Sequence, residues 1–290
     1  MNLYANAELE LLLNQVESEQ SERKSEFRTK EVRKKVRETV WPDMSPIKGA
    51  TLSDLSRIIF EYDYLEQAFA SDVLAANNRS YEERLASCKL IISPTDTRPT
   101  VVGMLTLGKD PLNFLPGAYI QFLRIAGTRL ADPVIDEAMI SGPLGTMLNQ
   151  AKVIIKSHNR TAVDVTSSDT HRFEPVYPVA AIQQILYNAV MHREYEISNA
   201  PIRLYWYDDH IEIISPGGPY GSVTVENFGQ PGITSYRNPE IASVLKVTGY
   251  IQQFGRGIQM ARDAMRKNGN PDPEFEVNNS IITCIMRKKL

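Results

Sequence analysis

The chain has 290 residues, 42% of them hydrophobic and 23% charged, with a formal net charge of −3 and a pI near 5.9. That length holds one large domain or two ordinary ones, and the apolar share excludes wholesale disorder. The mild acidity excludes an overall basic field of the kind that draws nucleic acid, so any such contact needs a local patch. Cys88 and Cys284 match no zinc spacing, which argues against a structural metal. So few cysteines fit a reducing cytosol while leaving one disulfide open.

The start, "MNLYANAELELLLNQ", carries Leu11, Leu12 and Leu13 without a basic leading region. It does not read as a signal peptide, and residues 6–15 predict a short amphipathic helix. In "SERKSEFRTKEVRKKVRE", Glu26 with Lys30 and Glu31 with Lys35 sit four apart, each pair worth about 0.2–0.5 kcal/mol in a helix. Arg33, Lys34, Lys35 and Arg37 are the local basic candidates for phosphate contact, offset by their neighbouring glutamates. Residues 40–49, "VWPDMSPIKG", hold two prolines and a glycine and read as a linker.

A helix is expected over 51–69 with Thr51 or Ser53 at its start, and another begins in 80–91. Residues 100–107 are apolar, and "GAYIQFLRIAG" predicts a strand bounded by glycines. One long helix is expected over 133–158, bent or broken at Gly142, Pro143 and Gly145. The second half predicts helices over 179–193, 239–247 and 257–268, with hairpins turning at Asp208 and Asp209 and at Asn278 and Asn279. The pattern predicts an α/β (α+β) sandwich, a sheet with helices on one face, preceded by a mixed helical and strand region. No stretch approaches about 18 consecutive apolar residues, so nothing is expected to span a membrane, and a cytoplasmic location follows.

The chemistry concentrates in three places. In "QILYNAVMHREYE", Gln184, Asn188 and His192 fall four apart on one helical face, beside the apolar Ile185, Leu186, Ala189 and Val190. Such a row is either satisfied by backbone and water or lines a ligand pocket. The strand ending in "SPGGPYG" brings Ser215, Gly217, Gly218 and Gly221, whose glycines let backbone approach a ligand. "FGRGIQMARDAM" then places Gly255 and Gly257 at a helix N-terminus, where free N–H groups and the dipole favour phosphate.

With these stretches in this order, residues 177–290 resemble the C-terminal domain of RecG-like transcriptional regulators, which is related to the GHKL ATPases. The stretches that carry the resemblance are "ILYNAVMHREY", "DDHIEIISPGGPYG", "YRNPEIASVLKVTGYIQQFGRGIQMARDAM" and "NPDPEFEV". It implies a GHKL-like ATP-binding domain over 176–290. In that pattern Asn188 holds Mg²⁺ between the phosphates, and Gln184, His192, Ser215, Gly217, Gly218, Gly255 and Gly257 join it around the nucleotide. Two positions depart from it. The general-base position is Gln184, and losing such a base removes typically about 10²- to 10⁴-fold in rate. The adenine-reading carboxylate position is Ser215. No catalytic residue is therefore assigned.

The same family carries an N-terminal Schlafen AlbA-type domain, whose signature "ESEQSERK" resembles through Glu17, Ser18, Glu22 and Lys24. Residues 1–45 thus read as a truncated remnant and charged arm, and 46–175 as a connecting α/β region. The resemblance implies an ATP-binding regulatory or defence-type protein acting by binding and self-association. The alternatives are a slow Mg-dependent ATPase or a DNA-binding transcriptional regulator. A homo-oligomer is expected, with residues 1–40 in the interface.

Overall fold

The computed structural model describes residues 41–159, 175–251 and 255–289. Pro42–Leu290 forms one compact unit. The helix expected over 6–15, the charged run and the AlbA-like signature lie outside the described residues.

Six strands form one sheet in the order β2-β1-β3-β4-β6-β5. They are β1 (Ile120–Ile125), β2 (Val134–Ile140), β3 (Ile202–Trp206), β4 (His210–Pro216), β5 (Glu274–Val277) and β6 (Ile281–Arg287). β1 and β3 run parallel and every other pair is antiparallel, so the sheet is mixed. The two-residue alternation sends Ile120 and Phe122, Ile202 and Leu204, Ile211 and Ile213, and Cys284 and Met286 into one apolar core. On the opposite face Ile125, Tyr205 and Tyr207 make a smaller cluster. The sheet takes strands from both sides of residue 176, and one core runs beneath them all.

The helices are α1 (Arg57–Ile59), α2 (Leu65–Ala68), α3 (Ser71–Ala75), α4 (Tyr81–Ser87), α5 (Val101–Leu107), α6 (Leu144–His158), α7 (Val179–His192), α8 (Pro239–Val247) and α9 (Gly257–Lys267). On α7, Ala181, Ile182, Ile185, Leu186, Ala189 and Val190 are buried in the same core as the strands. Each large aliphatic there contributes about 1.5–3 kcal/mol by burial. That stripe fixes the helix's rotation, and with it the polar row on its flank.

The hairpin turns and the bounds of α7, α8 and α9 match expectation to within a residue. Three stretches do not. The expected helix over 133–158 is a strand followed by a helix: β2 pairs along β1 from Ile140 opposite Ile120, and α6 starts only at Leu144. Gly142, at φ 111°, and Pro143 make the break between them. Residues 51–69 are helical only in pieces, with a 3₁₀ turn at Leu52–Asp54 and a π segment at Phe60–Tyr64 between α1 and α2.

The supposed linker at 40–49 is packed. Pro42–Met44 forms a 3₁₀ turn, and the fully buried Asp43 accepts hydrogen bonds from the backbone N–H groups of Glu240 (2.7 Å) and Ile241 (2.9 Å). A carboxylate there satisfies the open donors of α8 and complements its dipole. Burial pushes the Asp43 carboxyl up to about 6. Among the described residues no helix is long and apolar enough to cross a membrane, and Cys88 and Cys284 are both free thiols.

Candidate functional site

α7, the end of β4, the loop 217–238 and the start of α9 enclose a cavity of about 360 Å³. Gln184, Asn188 and His192 form one wall, as their four-residue spacing requires. Ser215 lines it from β4, Gly218 from the following turn, and Gly255 and Gly257 from the α9 end. Register puts Ile213 opposite Cys284, Ser215 opposite Ile282, and Phe275 opposite Cys284, so the sheet side of the cavity is largely apolar.

At the α9 end the backbone requires glycine at position 255. Gly255 has φ 73°, and a Cβ on it would stand 2.8 Å from Thr234 Cγ2. A Cβ on Gly257 would stand 2.6 Å from Asn188 Nδ2 and 2.9 Å from Oδ1, so the α7 amide lies directly against the first turn of α9. Gly218 likewise has no room: a Cβ on it would stand 2.4 Å from Asn279 O and 2.6 Å from Asn278 O at the β5–β6 turn. Gly217 stands apart from the other expected residues. It is not on the cavity wall; its N–H donates to Ser280 O (2.8 Å), and at φ 102° it faces Glu194. Its role in the fold is to let the β4 exit turn dock on the β5–β6 hairpin.

Arg237 holds the loop's two ends together. It donates to Glu194 Oε2 (2.6 Å) and to Gly218 O (3.1 Å), and its guanidinium lies over Tyr220 at 4.9 Å. The neighbouring Asn238 donates to Met191 O (2.9 Å) and Arg193 O (2.8 Å), closing the end of α7. Neither residue was a sequence candidate, because their partners lie from seventeen to forty-seven positions away and no local periodicity marks them.

Arg256 is the ionised side chain among the described lining residues, and none of them is Asp or Glu. His192 stacks on Tyr236 with ring centroids 5.5 Å apart. Burial, and then the charge of Arg237, hold its pKa down to about 4. The folded value lies below the unfolded value, so the unfolded chain takes up the proton first, and this residue lowers stability as pH falls from about 6.5 towards 4. The expected result in an imidazole NMR titration is one histidine with a midpoint near 4; a midpoint near 6.5 would show that His192 is solvated.

The donor set does not by itself make a magnesium site. Mg²⁺ favours octahedral oxygen ligands and is usually held through one or two carboxylates together with substrate phosphates. Here Asn188 offers one neutral oxygen, and the described residues contain no group of three or more His, Cys, Asp or Glu placed for a metal.

Residues 199–286 match the family model "Putative ATP-dependent DNA helicase recG C-terminal". That match covers β3 to β6, the loop over the cavity and α9, and it begins after α7, so the polar row joins this RecG C-terminal-like segment through geometry alone. No curated protein matches the chain. Among solved structures, the crystal structure of the DIP2311 protein from Corynebacterium diphtheriae is similar over 87% of this chain, with a TM-score of 0.65 and 19% identity. The chain spans about half of that structure (48%), and the likeness is one of fold. An ATPase-type fold is thus supported by the family model over residues 199–286.

Proposed function

We propose that the chain binds a purine nucleotide, ATP or ADP, in this cavity and hydrolyses ATP slowly or not at all. The observation that carries this reading is the convergence of the Gln184, Asn188 and His192 row, Ser215 and the glycine-flanked α9 N-terminus on one cavity. The apolar sheet side suits a base. The α9 N-terminus and Arg256 suit phosphates, since free N–H groups and the helix dipole favour anions. Asn188, pressed on that same helix turn, supplies an amide to the phosphate end.

Hydrolysis needs a group that takes a proton from water. Gln184 cannot, His192 is a weak base with its pKa held down to about 4 by burial, and no carboxylate lines the described wall. A missing general base is worth about 10²- to 10⁴-fold. Phosphate release from ATP tests this: the expected result is negligible turnover in the wild type and a measurable rise in Gln184→Glu. Ordinary ATPase turnover by the wild type would contradict the reading.

The finer reading is a regulatory protein that works by binding and self-association, with residues 1–40 contributing to the contact. It rests on the apolar Leu11, Leu12 and Leu13 beside a charged helix-forming run. Light scattering on the full chain should give a dimer or larger, and a monomer removes self-association from the account.

A further inference from the structure

We infer that this cavity binds its nucleotide as the free anion, with the phosphates lying directly on the protein and no divalent ion between them and Asn188. This rests on the nucleotide reading above and deepens it by naming the ionic form of the ligand. It departs from the metal bridge that the sequence resemblance implies, on grounds of room and of charge. Mg²⁺ takes octahedral ligands at about 2.0–2.1 Å and gives up its waters reluctantly, so an ion held by one neutral amide needs open space for a water shell. Asn188 lacks that space on its α9 side: a Cβ on Gly257 would stand 2.6 Å from its Nδ2, 2.9 Å from Oδ1 and 3.2 Å from Cγ. The amide thus lies against the first turn of α9 through both polar atoms. A phosphate seated on that turn meets the amide itself, with no gap for a hydrated ion.

The charge that a metal would supply is already in the wall. Arg256 is the N-cap of α9, a helix of 11 residues, and lines the cavity beside Gly255 and Gly257. Its guanidinium is always ionised, and the planar fork matches phosphate oxygens. The N–H groups of the same first turn add the positive end of the helix dipole. No Asp or Glu lines the cavity among the described residues, so no carboxylate draws a divalent cation in. A metal entering this end meets a like charge instead. Free ADP brings more negative charge to it than the magnesium complex does, and is the form this wall favours. Asn188 is then a direct partner of phosphate and not a metal ligand.

Calorimetric titration of the full chain with ADP, in EDTA and in millimolar Mg²⁺, tests the inference. The wild type is expected to bind ADP in EDTA within about threefold of its affinity in Mg²⁺, or more tightly. A larger gain on adding Mg²⁺ overturns metal-free binding and leaves nucleotide binding standing. Asn188→Asp separates the two geometries again. A carboxylate is a better magnesium ligand than an amide, so a bridging ion would restore ADP binding by this variant in Mg²⁺. With phosphate directly on the side chain, the variant is expected to lose about tenfold or more in both buffers. Recovery in Mg²⁺ alone overturns the inference. Arg256→Gln is expected to lose about tenfold in EDTA, and full affinity there overturns it as well. No binding by the wild type in either buffer overturns the nucleotide reading with it. The wild-type comparison decides the matter even if a variant fails to fold.

Discussion

Arg193→Ala is expected to destabilise the chain by at least about 3–5 kcal/mol, read as a lowered urea midpoint. Arg193 is 1% exposed, yet among the described residues its guanidinium meets no carboxylate. It donates instead to three carbonyls: Nη1 to Glu194 O (2.9 Å), and Nη2 to Ser198 O (2.8 Å) and Ala200 O (2.7 Å). Its plane also lies over Tyr195 at 4.7 Å. This fork fastens the turn between α7 and β3. Removing it strands three carbonyls at about 1–3 kcal/mol each and leaves a void. Arg193→Lys should recover only part, because an ammonium cannot reproduce the planar fork. A loss below about 1 kcal/mol in Arg193→Ala would mean that the turn holds itself.

Gly257→Ala is expected to do the opposite: leave stability near the wild type and weaken nucleotide binding by about tenfold or more. Gly257 opens α9 without a positive φ, so alanine fits the backbone and favours the helix by up to about 1 kcal/mol. The new methyl group would sit 2.6 Å from Asn188 Nδ2, and the amide must swing away. Since that atom is the end of a side chain, the fold yields cheaply and the site does not. Unfolding midpoints and ADP titrations on the same protein separate the two effects. Unchanged affinity would place the ligand away from Asn188.

Why one part of this was legible from sequence and another was not comes down to range. The Gln184, Asn188 and His192 row follows from a period of 3.6 residues, and the hairpins from turn residues between β-rich runs, all of it local. β2 was unreadable because "VIDEAMI" is largely exposed and becomes a strand through its pairing with β1. The stretch around Asp43 looked like a linker because its partner, the start of α8, lies nearly two hundred residues on. Gly217 and Gly218 look equivalent in sequence, but the β5–β6 turn, some sixty residues later, decides which one faces the cavity. The Arg237 to Glu194 clasp is likewise a product of topology.

The most direct test of nucleotide binding in this cavity is calorimetric titration of ADP into the full-length wild type and into Asn188→Asp. The substitution keeps the size of the side chain and puts a negative charge where phosphates are expected to lie. The predicted result is one-site binding by the wild type, sharply weakened in the variant. No binding by the wild type, or tight binding unchanged by the substitution, would contradict the assignment of this cavity as a nucleotide site.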